Sequence, residues 1–88
     1  MTELHSRYDR RADVLYLFTE ENGPASSKED ELGILWRYVP ARPHPVGATI
    51  IDFRELWSGR LDELVVTLSR HFRVPAKRAE KALTSLDG

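Results

Sequence analysis

Within the first 53 residues the apolar positions gather in short runs of strand type separated by polar or proline-rich stretches, and after them the apolar spacing shifts to three and four, dividing the chain into a sheet-forming part and a helix-forming part. Residues 4–8 form a short first strand leading into a polar elbow at residues 9–12, where the Asp9 carboxylate can accept backbone N–H groups and stabilise a reversal. Residues 13–19 return as the next strand. Val14, Tyr16 and Phe18 fall on one face and Leu15 and Leu17 on the other, a two-sided apolarity that suits a central strand. Residues 20–31 include Asn22-Gly23-Pro24 and a run of acids without apolar periodicity, and read as a solvated loop. In the strand over residues 32–39, Ile34, Trp36 and Tyr38 share a face, while Leu35 and Val39 flank Arg37 on the other. Pro40, Pro43 and Pro45 cannot donate ladder hydrogen bonds and mark the way out of that strand; residues 46–53 form the last one. Every connection is too short for a crossover helix, so the strands are expected to run antiparallel as a meander.

Beyond Phe53 the period changes. Residues 54–57 make a single turn closed by Ser58-Gly59, and Leu61, Leu64, Val65, Leu68 and Phe72 then line one stripe of a helix. Asp62 and Glu63 stand in its first turn and Arg70 and His71 in its last, each sign matching the helix dipole. Arg73-Val74 interrupts the pattern. Pro75 occupies a first-helical position, and residues 76–86 resume with Ala79, Ala82, Leu83 and Leu86 inward. The fold class expected is α+β: an antiparallel meander of three to four strands, then a C-terminal helix pair packed on one sheet face. At 88 residues this is one domain, with the sheet over 4–53 and the helical part over 54–86.

Composition narrows the setting. The chain has no cysteine, hence no disulfide and no thiolate metal site, which fits a reducing cytoplasmic compartment. Its N-terminus lacks a hydrophobic leader, and no apolar run approaches a membrane span. Net charge is −1, yet Arg70, Arg73, Lys77, Arg78 and Lys81 are opposed over residues 70–81 only by Glu80.

Tyr8-Asp9-Arg10-Arg11-Ala12-Asp13-Val14-Leu15-Tyr16-Leu17, then Gly33-Ile34-Leu35, then Val46-Gly47-Ala48-Thr49-Ile50-Ile51-Asp52 resembles the small bacterial and archaeal domains grouped as domain-of-unknown-function family 2283. The likeness spans residues 5–53. It implies a short antiparallel sheet and, because some members lie beside genes for putative small toxins, an antitoxin-like or partner-binding role. It brings no catalytic residues. The chain departs from the family at residues 41–45, where members turn more tightly, and in its helical extension after Phe53. That extension loosely resembles the middle helices of small winged-helix adaptors that bind modified or precursor peptides.

The candidate chemistry is sparse. Asp9, Asp13 and Asp52 could form an acid–base or metal pair, but turn capping explains such carboxylates more simply. His5, His44 and His71 have no ligand at metal-binding spacing, and Ser58, Ser69 and Ser85 have neither an adjacent base nor a glycine elbow. No enzyme, metal or cofactor is expected. Arg73, Lys77, Arg78 and Lys81 could contact phosphates if they align on the last helix, although a solvated helix face looks the same in sequence. Tyr16, Phe18, Trp36 and Tyr38 point to an interface, since one helix pair covers only one face of a sheet apolar on both. The sequence therefore points to a non-catalytic, homodimeric protein-interaction module. The alternative is a nucleic-acid-binding or regulatory protein using the basic helices, and a weaker third is a hydrolase or metal enzyme built on Asp9 or Asp13 with a histidine.

Overall fold

A computed structural model describes residues 3–20 and 24–84. Five strands, β1 (His5–Asp9), β2 (Val14–Phe18), β3 (Ser26–Glu29), β4 (Ile34–Tyr38) and β5 (Gly47–Ile51), precede three helices, α1 (Phe53–Trp57), α2 (Leu61–Phe72) and α3 (Ala76–Thr84). The strands make one fully antiparallel sheet in the order β1-β2-β5-β4-β3. The α+β architecture is the expected one, with a strand more than the alternation predicts.

Two features differ from the sequence-based expectation. The additional strand is β3, inside the stretch read as a solvated loop; residues 21–23 of that stretch lie outside the described residues. Ser26-Ser27-Lys28-Glu29 is exposed throughout, so it has no apolar period to betray it and is held by its pairing with β4. The Asp30 side chain fixes the hairpin. Its Oδ1 accepts the N–H groups of Leu32 at 2.9 Å and Ile34 at 3.0 Å, and its Oδ2 accepts the Trp36 indole N–H at 2.8 Å. Gly33 completes the turn at φ 81°, where a side chain would be strained.

The second difference is strand order. Strands do not follow one another across the sheet as in a simple meander: β5 comes between β2 and β4 and is central, and β2 lies one place to its side. Small residues suit β5 to this place, because Gly47 and Ala48 are buried between neighbours on both sides.

One face of the sheet carries Leu15, Leu17, Ile34, Trp36, Ala48 and Ile50, all buried beneath Phe53 and Trp57 of α1, Leu64, Leu68 and Phe72 of α2, and Ala79, Ala82 and Leu83 of α3. The helix stripe is that of the sequence pattern, except that Leu61 is exposed; Leu86 lies outside the described residues. Between α2 and α3, Arg73 takes a left-handed conformation at φ 56°, and the Ser69 hydroxyl donates to the Val74 carbonyl at 2.6 Å. Ser6 on β1 likewise donates to the Ala82 carbonyl at 2.7 Å, tying the sheet edge to α3.

Candidate interaction surface

The polar elbow is structural chemistry. Asp9 Oδ1 accepts the N–H groups of Arg11 at 3.1 Å and Ala12 at 3.2 Å, closing the turn as its sequence position suggests. Asp13 reaches further. Its Oδ1 accepts the Arg54 N–H at 2.9 Å and the Tyr8 hydroxyl at 2.7 Å, and its Oδ2 accepts the Glu55 N–H at 3.3 Å. It thus caps α1 from across the molecule, a task that Asp52 leaves open: Asp52 stands at the N-cap with φ 56° and no side-chain cap bond. The Arg54 N–H and then the Tyr8 hydroxyl hold the Asp13 carboxyl below the usual carboxylate range, against burial. The same hydrogen bond to Asp13, followed by burial, raises the Tyr8 hydroxyl. Burial pushes Asp30 up, but the Trp36 indole, the Ile34 and Leu32 N–H groups and nearby His71 outweigh it and bring the carboxyl down. These carboxylates are occupied by backbone and ring donors.

Among the described residues no helix lies on the second face of the sheet. Register places its side chains in three cross-strand rows. The first runs His5, Phe18, Gly47, Arg37, Ser27; the second Arg7, Tyr16, Thr49, Leu35, Glu29; the third Asp9, Val14, Ile51. An apolar band of Val14, Tyr16, Phe18, Leu35 and Ile51 therefore crosses the middle, with charge at both edges. Phe18 is 37% exposed and Ile51 48%, high values for such side chains in interior strands. His5 stacks on Phe18 at 5.6 Å between centroids, and the Arg7 guanidinium lies 5.1 Å from the Tyr16 ring centre.

A hollow of about 330 Å³ opens on this face over Gly47, with Arg7, Tyr16, Phe18, Arg37 and Thr49 in its lining. Glycine shapes it: a Cβ at position 47 would stand 3.2 Å from Arg37 Nε. Neither Arg7 nor Arg37 has a carboxylate partner among the described residues.

No protein-family model matches the chain, and no curated protein or solved structure matches it.

The four aromatic residues singled out in the sequence are not brought together. Tyr16 and Phe18 share the uncovered face, but Trp36 and Tyr38 point to the helices. Trp36 is 2% exposed, stacked on His71 at 4.1 Å and edge-on to Phe72 at 5.6 Å, and so is part of the chain's own core. Val14, Leu35, Thr49 and Ile51 belong to the uncovered face instead; strict alternation through β2, β4 and β5 was the signal for them.

Of the basic residues, Lys77, Arg78 and Lys81 line one hollow of about 630 Å³ with Glu3, His5 and Ser6, between α3 and the start of β1. Arg73 does not line it and caps the end of α2. Glu3, His5 and Glu20 bring one ligand atom each within 4.8 Å of one another, which sequence spacing did not reveal. His5 Nε2 and Glu20 Oε1 are 3.7 Å apart, an ion pair when the imidazole is protonated. The three cations in the adjoining hollow oppose a further positive charge there. Among the described residues no helix is long and apolar enough to cross a membrane.

Proposed function

We propose that this protein is a non-catalytic interaction module that works as a homodimer, burying the uncovered sheet face against a second copy. What supports a dimer is the apolar band from Val14 to Leu35 on a face that the chain's own helices leave open. A non-catalytic role is supported by the carboxylates of Asp9, Asp13 and Asp30, each engaged in holding a turn or a helix end. Five strands of about five residues make a face of roughly 24 by 17 Å at ~4.8 Å per strand and ~3.4 Å per residue. That footprint, about 400 Å² on each copy, lies below the standard size of specific interfaces and in the weak, transient class, so association no tighter than micromolar is expected. Sedimentation equilibrium over a micromolar concentration series tests this. The wild-type chain is expected to move from monomer to dimer, and Phe18→Glu to stay monomeric with an unchanged circular dichroism spectrum. A wild-type chain that stays monomeric throughout sinks the reading.

A second reading has one observation in its favour, the convergence of Lys77, Arg78 and Lys81 on a single hollow. There the protein would hold a phosphate-bearing polymer, with binding that weakens steeply as salt rises. Gel retardation of nucleic acid at low salt, weakened by Lys77→Glu and Arg78→Glu, supports it; no retardation at low salt removes it.

A further inference from the structure

Accepting the dimer proposed above, the charge pattern on the uncovered face also fixes how two copies meet. Two sheets packed face to face through a two-fold axis have two simple arrangements, with the axis in the interface plane and either along the strands or across them. These arrangements are not equivalent for this sheet. β5 is the central strand of five, so an axis along β5 exchanges β1 with β3 and β2 with β4 while keeping each row opposite itself. An axis across the strands keeps each strand opposite itself and exchanges the outer rows.

With the axis along β5, the middle row sets Arg7 against Glu29 of the partner subunit, Tyr16 against the partner's Leu35, and Thr49 against its own copy. In the outer row Phe18 meets the partner's Arg37, a cation over an aromatic face. Ile51 meets Ile51 of the partner subunit on the axis. Opposite charges thus fall together at both edges, and apolar groups fall together between them. With the axis across the strands, Arg7 faces Arg7 of the partner subunit and Glu29 faces the partner's Glu29, like on like in the middle row at each edge, and the exchange of the outer rows offsets this only by setting His5 against Asp9 of the partner subunit. Like charges brought together at an interface cost several kcal/mol, so this arrangement is selected against.

We infer that two copies of this chain associate about a two-fold axis along β5, with Arg7 of each paired with Glu29 of the other. Aligned sheets cross at about 30°, which displaces the edge strands by roughly 5 Å along their length. An arginine and a glutamate side chain together span that offset. Neither residue has an ion-pair partner within its own subunit among the described residues, so both are available. Both are also exposed, so replacing them leaves the core untouched.

The test is a charge swap read by sedimentation equilibrium at low salt, with circular dichroism confirming each fold. Arg7→Glu and Glu29→Arg are each expected to weaken dimerisation roughly tenfold, because two symmetric pairs turn from attraction to repulsion. The double variant Arg7→Glu/Glu29→Arg is expected to return to within about twofold of wild type. Failure of the double variant to recover overturns this arrangement. If the swaps change nothing while Phe18→Glu still abolishes the dimer, the sheet-face dimer stands and the axis along β5 falls. If the wild-type chain does not dimerise, both fall together.

Discussion

The two faces of this sheet are built from the same strands, residue by residue in alternation, yet they have opposite fates. Leu15, Leu17, Trp36 and Ile50 are sealed under three helices, while Tyr16, Phe18, Leu35 and Ile51, each next to one of them in the chain, have no helix over them. Hydrophobicity alone does not separate the two sets. What separates them is which face the helical part of the chain can reach: Asp13 holds the start of α1 and Ser6 holds α3, both from the covered side.

The largest contrast is expected between two aromatic truncations. Trp36→Ala removes a side chain packed against His71 and Phe72 and takes the indole donor from Asp30 Oδ2, and it is expected to cost about 3–5 kcal/mol. For 88 residues a total stability of roughly 4–13 kcal/mol is typical, so much of the protein's margin would go. Tyr16→Ala, at concentrations where the chain is monomeric, is expected to cost about 1 kcal/mol or less. Urea unfolding of both variants checks this, and equal losses would erase the distinction between the faces.

A sharper comparison uses adjacent residues of β5. Ile50 is 1% exposed and Ile51 48%. Ile50→Lys puts an unpaired ammonium under the helices and is expected to unfold the chain. Ile51→Lys is expected to keep the fold and, in the proposed dimer, to prevent association by bringing two cations together on the proposed axis. A folded Ile50→Lys protein, or an Ile51→Lys dimer as tight as wild type, contradicts this assignment of faces.

Much of this contrast was legible in the sequence. The period of two in β2 and β4 sorts their side chains correctly between faces, and the change of period after Phe53 locates the helices. That a single helix layer would leave one face open also followed from the pattern. Four things did not. β3 has four exposed polar residues, and its pairing depends on backbone hydrogen bonds and a turn closed by Asp30, neither of which has a periodicity. The place of β5 between β2 and β4 is a long-range choice that local alternation does not encode. Trp36 looked like an interface residue because its type alone does not say which face the helices cover. Asp13 read as a turn residue because its partners on α1 are 41 and 42 positions away.

The smallest expected effects concern the Tyr8–Asp13 pair, which joins the elbow to the helix layer, and they separate by pH. Asp13 is depressed in the folded chain, so its contribution is present above the ordinary aspartate value near ~3.9 and is lost as pH falls through the lower, folded value. Tyr8 is raised, so its contribution is full below ~10 and is lost as pH climbs through the higher, folded value. Asp30 shares the acid limb, because it too is depressed. Tyr8→Phe is expected to flatten the alkaline limb while leaving most of the acid one, since the Arg54 N–H, the larger cause at Asp13, remains in place. Asp13→Asn is expected to shrink both: it removes a titrating carboxylate and replaces the charged acceptor that raises Tyr8 with a neutral amide oxygen. It also weakens the cap on α1, lowering Tm by a few degrees at neutral pH. Thermal melts of the three proteins from acid to alkaline pH read these limbs separately. An alkaline limb that survives Tyr8→Phe unchanged would mean that another group carries it, and the elbow would then be joined to the helix layer by the Asp13 bonds to the Arg54 and Glu55 N–H groups without help from Tyr8.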